Sequence, residues 1–152
     1  MLYAHLYNSP VGDISLLKDD TDLIGISFFN QTFCDKQARN DKKIFKKVTD
    51  QLDEYFFEGR KNFTIQYRLP FTGFRSEVFE EMIKIPYGEC VTYSYLAKKV
   101  GNPKAYRAVG SSCGKNPLPL FVPCHRVVSK SGLGGFTGGL DIKRFLLELE
   151  SN

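Results

Sequence analysis

The sequence lacks the features that mark membrane-spanning and secreted chains. None of its apolar runs approaches the roughly 20 residues that cross a bilayer. The first residues contain no basic segment followed by an apolar stretch, so we expect no signal peptide and a cytoplasmic location. Tryptophan is absent from the 152 residues, but 42% of them are hydrophobic and 14% are aromatic. These amounts suffice for one compact domain or two small ones.

Cysteine and histidine are too scarce and too scattered to favour a metal site. The chain has only two histidines, His5 and His125. Its four cysteines form no Cys-x-x-Cys pair and lie far apart, at Cys34, Cys90, Cys113 and Cys124. In a reducing compartment such cysteines are typically free thiols, and a buried one is usually inert packing. We therefore predict no metal site and no disulfide framework.

Acidic residues are missing from the segment 90–140. Residues 1–70 carry ten Lys or Arg and ten Asp or Glu, whereas residues 71–152 carry eleven and seven. The net charge of +4 therefore belongs to the second half. The cations of the segment 90–140 are Lys98, Lys99, Lys104, Arg107, Lys115, Arg126 and Lys130. A positive stretch of this length favours a phosphate-bearing partner such as nucleic acid, and the alternative is a solvated basic surface.

Hydrophobic patterning predicts an α/β (α+β) protein with two domains, 1–69 and 70–152. The elements predicted for the first domain are strands at 3–7, 13–17 and 23–29, a helix within 41–59 that ends at Gly59, and a strand at 62–68. Those predicted for the second are helices at 74–85, 92–100 and 105–116, a buried strand at 118–122, and a helix after the glycine-rich loop 132–139. Reactive side chains gather only in the second domain, so we expect the first to be a supporting domain.

Two of these helices are joined by a short glycine-containing turn, which is the helix-turn-helix pattern. Thr92 is expected to cap the first of them. On one face of the second, a single cation is followed by small residues: Arg107, then Gly110, Ser111 and Gly114. A flat face of this kind allows a partner to approach the backbone closely. Because it lies within the basic segment, we interpret it as a nucleic-acid-binding face, and close packing on another helix is the alternative.

The segment 120–128, LFVPCHRVV, places a thiol, an imidazole and a guanidinium at the predicted end of a buried strand. Cys124 has three possible roles there: inert packing, metal ligand or nucleophile. The thiolate is the reactive form, and His125 could accept the thiol proton if the backbone turns or a water bridges the two groups. No carboxylate that could orient the imidazole lies within 90–140. The last helix would have to supply it, from Asp141, Glu148 or Glu150.

Several segments of the second domain together resemble one protein family. They are TYSYLA, NPKAYRAVG, NPLPLF followed by PCHRVV, and GGFTGGLDIKRFLL, and the likeness covers residues 70–150 in order. The chain resembles the O6-alkylguanine-DNA alkyltransferases, also called methylated-DNA–protein-cysteine methyltransferases. The resemblance implies a ribonuclease H-like N-terminal domain and a mostly helical C-terminal domain that contains the active-site cysteine. It also implies a monomer that needs no cofactor.

The implied reaction is direct-reversal repair of double-stranded DNA. The alkyl group of O6-alkylguanine would pass to the protein once and irreversibly, with O4-alkylthymine as a second candidate substrate. The DNA would be bound through its minor groove, and the damaged nucleotide would be flipped out of the helix.

The resemblance also assigns roles to individual residues. Cys124 would accept the alkyl group, His125 would act as its base through a water, and Glu150 would complete the relay. Tyr93 would donate its hydroxyl to the leaving guanine. Arg107 would enter the base stack in place of the flipped nucleotide. The other implied residues are Lys104, Ser111, Lys115 and Thr92 at the DNA, Pro119, Gly135, Phe136, Thr137 and Gly138 around the base, and Asn116 and Arg126 as structural supports.

One of these positions departs from the family pattern, and the residues taken alone leave other interpretations open. Many relatives have a tyrosine at Phe136, so the ring is kept here and the hydroxyl is lost. Composition alone makes Tyr93 a core tyrosine and Glu150 a solvated charge near a frayed end. Two other functions stay open from the residues. One is a non-catalytic DNA-binding module, such as a lesion sensor or a regulator, and the other is a Cys-His hydrolase that turns over.

Overall fold

The computed structural model describes residues 1–28 and 38–152. These residues divide into two compact units, Met1–Leu69 and Pro70–Asn152. The thiol of Cys34 and the last residue of the third predicted strand, Phe29, lie outside the described residues. Among the helices of the described ranges, none is both long and apolar enough to cross a bilayer.

The first unit is built on a three-stranded antiparallel sheet with the order β1-β2-β3. The strands are β1 (Tyr3–Ser9), β2 (Gly12–Lys18) and β3 (Leu23–Phe28), which confirms the three predicted from alternation. Ile14 and Leu16 on β2 are fully buried. Successive side chains of a strand point to opposite faces, so alternate apolar residues place their side chains on the core side.

Helix α1 (Lys46–Glu58) belongs to the same unit and begins later than the predicted range. It buries Val48, Leu52 and Tyr55, whose spacing of three and four residues forms one apolar face. Gly59 ends it in the left-handed conformation with φ 76°, as predicted. The hydroxyl of Tyr7 on β1 donates to Asp53 Oδ1 at 2.6 Å, which links the sheet to this helix.

The strand predicted at 62–68 is wrong. Among residues 1–28 and 38–152, only an isolated bridge between Leu23 and Tyr67 joins this segment to the sheet. The Thr64 amide donates to Gln51 Oε1 at 2.9 Å, and Gln51 Nε2 donates to the Thr64 hydroxyl at 2.7 Å. These bonds tie the middle of the segment to helix α1, so its backbone does not form a ladder with β3.

The second unit is mostly helical, as predicted. Its elements are α2 (Gly73–Ile83), β4 (Val91–Thr92), α3 (Tyr93–Lys99), α4 (Tyr106–Gly114), β5 (Val127–Val128) and α5 (Leu140–Glu150). The two short strands pair in parallel, with Val91 opposite Val127. Each of the four helices contributes a fully buried apolar side chain to the interior: Phe79, Leu96, Val109 and Leu146.

The strand predicted at 118–122 is also wrong, although the burial of its residues is confirmed. The segment is a tight turn, in which the Val122 amide donates to the Leu118 carbonyl at 2.9 Å. Leu120 takes a positive φ of 78°. Asn116 holds both ends, because its Nδ2 donates to the Val122 carbonyl and its Oδ1 accepts from the Leu118 amide. Leu118 and Val122 are fully buried inside this turn.

Candidate active site

Cys124 lies in a 3-10 turn, Cys124–Arg126, which connects Pro123 to strand β5. It therefore does not end a strand, because the segment before it is a turn. The Arg126 amide closes this 3-10 turn by donating to the Pro123 carbonyl at 3.0 Å. Cys124, His125 and Arg126 are all buried, and His125 has no exposed surface. The backbone thus turns at the motif, which is the condition for a thiol and an imidazole next to each other in sequence to cooperate.

The carboxylate beside the imidazole comes from the end of α5. Glu150 Oε2 lies 2.7 Å from His125 Nε2. Arg126 donates to the same carboxylate from Nε at 2.7 Å and from Nη2 at 3.0 Å. Glu150 is only 4% exposed, so its interpretation as a frayed, solvated charge is wrong. The two other acidic candidates on this helix, Asp141 and Glu148, are exposed.

The same carboxylate determines the tautomer of the imidazole. A carboxylate paired with Arg126 only accepts hydrogen bonds, so His125 Nε2 carries the proton and Nδ1 has the free lone pair. Nδ1 is buried, and no group among the described residues is hydrogen-bonded to it. Burial lowers the pKa of His125, against the opposing effect of Glu150. The imidazole is therefore neutral and able to accept a proton at neutral pH.

The Cys124 thiol is protonated in the resting protein. Burial raises its pKa to about 11, while a hydrogen bond from Asn116 and the charge of Lys143 act in the opposite direction. A thiol with this pKa is almost entirely uncharged at neutral pH, and the thiolate is the nucleophile. The chemistry of this site therefore requires a base that removes the thiol proton.

Cys124 faces a cleft of about 420 Å³. The cleft is lined by Tyr93, Gly110, Cys113, Gly114, Cys124, Gly135, Phe136 and Thr137. Three of the five predicted base-pocket residues are in this wall, whereas Pro119 and Gly138 are not among its lining residues. Pro119 instead forms a bridge with Val122 in the buried turn. A buried cysteine taken alone indicates inert packing, but Cys113 lies in the cleft wall together with Gly110 and Gly114 of α4.

Tyr93 forms one side of the cleft, so its interpretation as a core tyrosine is incomplete. Its hydroxyl accepts a hydrogen bond from the Gly135 amide at 3.3 Å. A Cβ added at Gly134, where φ is +74°, would lie 2.6 Å from the Tyr93 hydroxyl oxygen. Burial raises the pKa of Tyr93, so the hydroxyl keeps its proton and can donate it to a hydrogen bond in the cleft.

The residues predicted at the DNA differ in what they do within the protein. Lys104, Arg107, Ser111 and Lys115 are exposed on or beside α4. Thr92 caps α3, since its hydroxyl accepts from the Tyr95 amide at 3.1 Å, which confirms the predicted cap. Two exposed aromatic residues with a cation over the ring are not among the predicted DNA-binding residues: Tyr95, with Lys99 at 5.5 Å, and Tyr106, with Arg107 at 5.9 Å.

A buried cation near the cleft is also not among the predicted site residues. Lys143 on α5 is fully buried. The signal was its spacing, because Leu146 and Glu150 follow three and seven residues later on the same helical face. Cys90, Cys113 and Cys124 are free thiols, and Cys90 is exposed. Within residues 1–28 and 38–152, no group of three or more His, Cys, Asp or Glu side chains could hold a metal ion.

Comparison with protein families gives a match to each half of the chain. Residues 2–69 match the ribonuclease-like domain of 6-O-methylguanine DNA methyltransferase, and residues 73–152 match the DNA-binding domain of the same family.

Individual relatives agree over the full length. The methylated-DNA–protein-cysteine methyltransferase of Methanosarcina mazei is 40% identical, over 99% of this chain and 98% of that protein. The protein of that name from Metallosphaera sedula is 40% identical, over 100% of this chain and 95% of its own length.

Solved structures agree as well. The crystal structure of the O6-methylguanine methyltransferase of Mycobacterium tuberculosis superposes with a TM-score of 0.92 at 36% identity, covering 99% of this chain and 93% of that one. A structure of OGT from the same organism in complex with DNA gives a TM-score of 0.91 at 36% identity, covering 98% and 92%. The family models and the full-length relatives agree, and the chain belongs to the 6-O-methylguanine DNA methyltransferase family.

Proposed function

We propose that this protein repairs DNA by transferring the alkyl group of O6-alkylguanine to the sulfur of Cys124, once per molecule. The observation that carries the proposal is the cluster at the cleft. Cys124 faces the cleft, and the next residue, His125, is held by Glu150 through a bond of 2.7 Å between buried side chains. Membership of the methyltransferase family supports the same reaction.

The first step moves the thiol proton to the imidazole. The free lone pair of His125 is on Nδ1, which is buried, and the proton reaches it from Cys124 through a bridging water. The negative charge of Glu150 stabilises the imidazolium that results. Arg126 fixes the carboxylate with two hydrogen bonds, so the acceptor at Nε2 stays in place during the transfer.

The second step is an in-line displacement. The Cys124 thiolate attacks the alkyl carbon, a carbon–sulfur bond forms, and the bond from that carbon to O6 of the base breaks. The electron pair stays with the guanine, which gains negative charge. Tyr93 stabilises it by donating its hydroxyl proton in a hydrogen bond, while the Gly135 amide holds the phenol oxygen. The product is a stable thioether from which the alkyl group is not released, so the thiol is not regenerated and the protein reacts once.

Helices α3 and α4 bring the DNA to the cleft. We expect α4 to enter the minor groove, where its small residues permit close approach, and exposed cations to bind phosphates. Arg107 is exposed on this helix and takes the place of the flipped nucleotide. Unstacking the damaged base lets it enter the cleft, where the Phe136 ring forms part of the wall. The family relative solved in complex with DNA supports this partner.

Residues 70–152 are the functional domain in this proposal, and residues 1–69 support it. The small sheet and α1 contribute no group to the proposed chemistry. We expect the protein to act in the cytoplasm as a monomer without a cofactor, and size-exclusion chromatography with light scattering measures the oligomeric state. O4-alkylthymine is a second substrate to be tested in the same assay.

The experiment is a single-turnover transfer measured by intact mass. The protein is incubated with a duplex that contains one O6-methylguanine, and we expect each molecule to gain one methyl group, located by peptide mapping at Cys124. Cys124→Ala gains none. Cys90→Ala, which removes an exposed thiol that does not line the cleft, keeps the gain. Arg107→Ala transfers more slowly because it stabilises the flipped state less.

Other outcomes identify other functions. Tight binding of the lesion without any mass gain contradicts the proposal and favours a lesion sensor. A gain that survives Cys124→Ala contradicts the assignment of the acceptor. Repeated turnover of a thioester by the unmodified protein favours a hydrolase.

A further inference from the structure

Lys143 is a buried cation that the proposed reaction leaves unused. Its side chain is fully enclosed within the second unit. Lysine is rarely buried unless it is paired, because removing an ammonium group from water costs several kcal/mol. None of the ion pairs among the described residues involves it, although the nearby carboxylate of Glu150 pairs with His125 and Arg126. Burial lowers the pKa of Lys143, so the fold keeps an ionisable ammonium group at a position where its charge is costly.

The ammonium group links two segments that border the cleft. Nζ donates to the Val127 carbonyl at 2.7 Å and to the Gly135 carbonyl at 2.9 Å. Val127 begins strand β5, three residues after Cys124. Gly135 is in the cleft wall, and its amide donates to the Tyr93 hydroxyl. A single side chain from α5 thus connects the segment that follows the nucleophile to the loop that holds Tyr93.

The same group is electrostatically coupled to the thiols around it. Its positive charge lowers the pKa of Cys124 and Cys113, in opposition to burial, which raises both. Cys90 is affected in the same sense, and the pKa of His125 is also lowered by this charge. Reciprocally, the negative forms of the three thiols favour the charged form of Lys143, against its burial.

Other charged groups near Cys124 do not replace this cation. Arg126 is engaged by the Glu150 carboxylate and by the Ile85 carbonyl, to which Nη1 donates at 2.8 Å. Tyr93 and Cys113 each become negative when they ionise, so they oppose a thiolate at Cys124. The positive charge of Lys143, by contrast, lowers the pKa of the Cys124 thiol and so favours the thiolate.

We propose that Lys143 is a positioning residue, whose ammonium group holds the cleft loop at Gly135 to the segment after Cys124 and whose charge stabilises the reacting thiolate. This inference rests on the proposed alkyl transfer. It assigns to α5 a second contribution to the site besides Glu150. Because the charge acts on the thiolate before and during attack, its loss changes the pH dependence of transfer as well as the rate.

The test compares two neutral variants with the unmodified protein. Lys143→Met keeps a side chain of similar length and removes both the charge and the hydrogen-bond donor. Lys143→Gln keeps a hydrogen-bond donor and removes the charge. Lys42→Met removes an exposed lysine of the first unit and serves as the matched control. Single-turnover methyl transfer from an O6-methylguanine duplex is measured over a range of DNA concentrations and pH values, and folding is checked by circular dichroism.

We expect Lys143→Met to lower the maximal transfer rate by about tenfold or more, because a preorganised charge at a reacting centre has effects of this order. The midpoint of its rate–pH profile moves up by about one pH unit, as expected for a thiolate that loses a nearby cation. The DNA concentration at half-saturation stays the same. Lys143→Gln recovers part of the rate and shows the same shift of the profile. Lys42→Met behaves like the unmodified protein.

The possible failures are distinguishable. If the unmodified protein transfers no methyl group, the proposed function itself is wrong. If it does and both Lys143 variants keep its rate, the positioning role is overturned. A lower rate with an unchanged pH profile also overturns it, because a purely structural loss acts in that way. If Lys143→Met does not fold, the milder Lys143→Gln carries the test.

Discussion

The two units of this protein hold charged side chains in different ways. In the N-terminal unit, Lys46 pairs with Asp50 at the surface, at 2.8 Å and with side chains 75% and 50% exposed. In the C-terminal unit, Arg126 pairs with Glu150 at 2.7 Å, with side chains only 8% and 1% exposed. A surface pair contributes little because water and salt screen it, whereas a buried pair carries a desolvation cost. The buried pair is therefore best explained by what it positions, which is His125.

The range of the interactions differs as well. The pKa of Asp19 in the N-terminal unit is held well below its usual range by the amides of Asp22 and Thr21, and less strongly by Arg68. Its strongest partners thus lie within three residues. Glu150 instead meets His125 across 25 residues of sequence. A local turn supplies the first arrangement, but only the packing of α5 supplies the second.

The largest expected effect breaks the buried arrangement. Glu150→Gln leaves the buried Arg126 charge without its counter-ion, and we expect the free energy of unfolding to fall by about 3–5 kcal/mol. The amide also favours the other tautomer of His125, which removes the lone pair from Nδ1. Loss of a general base lowers transfer by about 10²–10⁴-fold. Urea denaturation followed by tyrosine fluorescence measures the first effect, and single-turnover transfer measures the second.

The matched change in the N-terminal unit is Asp50→Asn, which removes the surface pair with Lys46. We expect its unfolding midpoint and its transfer rate to equal those of the unmodified protein, because the pair is exposed. Equal losses of stability in the two variants would contradict the contrast between the units.

An intermediate effect is expected at the cleft loop. Gly134 and Gly59 have nearly the same positive φ, +74° and +76°, but a Cβ meets the Tyr93 hydroxyl at Gly134 and nothing within 4 Å at Gly59. Alanine at either position costs about 1–2 kcal/mol of backbone strain. Gly134→Ala also displaces Tyr93, so its stability loss is larger and its transfer rate falls. Thermal unfolding and methyl transfer of both variants check this difference.

Gly59→Ala serves as the control for strain alone, since it lies at the end of α1. We expect it to lower thermal stability and to leave the rate of transfer unchanged. Slower transfer in Gly59→Ala, or an unchanged rate in Gly134→Ala, would contradict a specific contact between the loop and Tyr93.

The smallest expected effect is a pH dependence that originates in the C-terminal unit. Burial lowers the pKa of His125 in the folded protein, so below the unfolded value of about 6.5 the unfolded chain binds more protons. The stability contributed by the neutral imidazole is complete above that pH and decreases as the pH falls towards the lower folded value. Urea denaturation at neutral and at mildly acidic pH measures the change.

His125→Gln should weaken this dependence, and His5→Gln, in the other unit, should leave it in place. If His5→Gln abolishes the dependence instead, the assignment to the buried imidazole is wrong.

Much of the fold follows from local patterns. The strands β1, β2 and β3 follow from alternation, and the end of α1 follows from Gly59. The cap at Thr92 follows from its side chain and the helix after it. The strands predicted at 62–68 and 118–122 do not form, because side chains make hydrogen bonds with the backbone groups that would pair in a sheet. Gln51 takes the amide of Thr64, and the side chain of Asn116 closes the 118–122 turn.

By itself the sequence determined the helix-turn-helix, the thiol beside an imidazole and the family of the chain. Residues close in sequence produce these features, through periodicity, caps and a contiguous motif. The family resemblance implied that Glu150 and Tyr93 act with Cys124. Only the tertiary structure decided the 2.7 Å contact of Glu150 with His125, the place of Cys113 in the cleft, and the burial of Lys143 between two carbonyls. Each of these contacts joins residues from separate elements. The energy that brings them together comes from burying apolar side chains of several elements, such as Leu96, Val109 and Leu146, which no local pattern specifies.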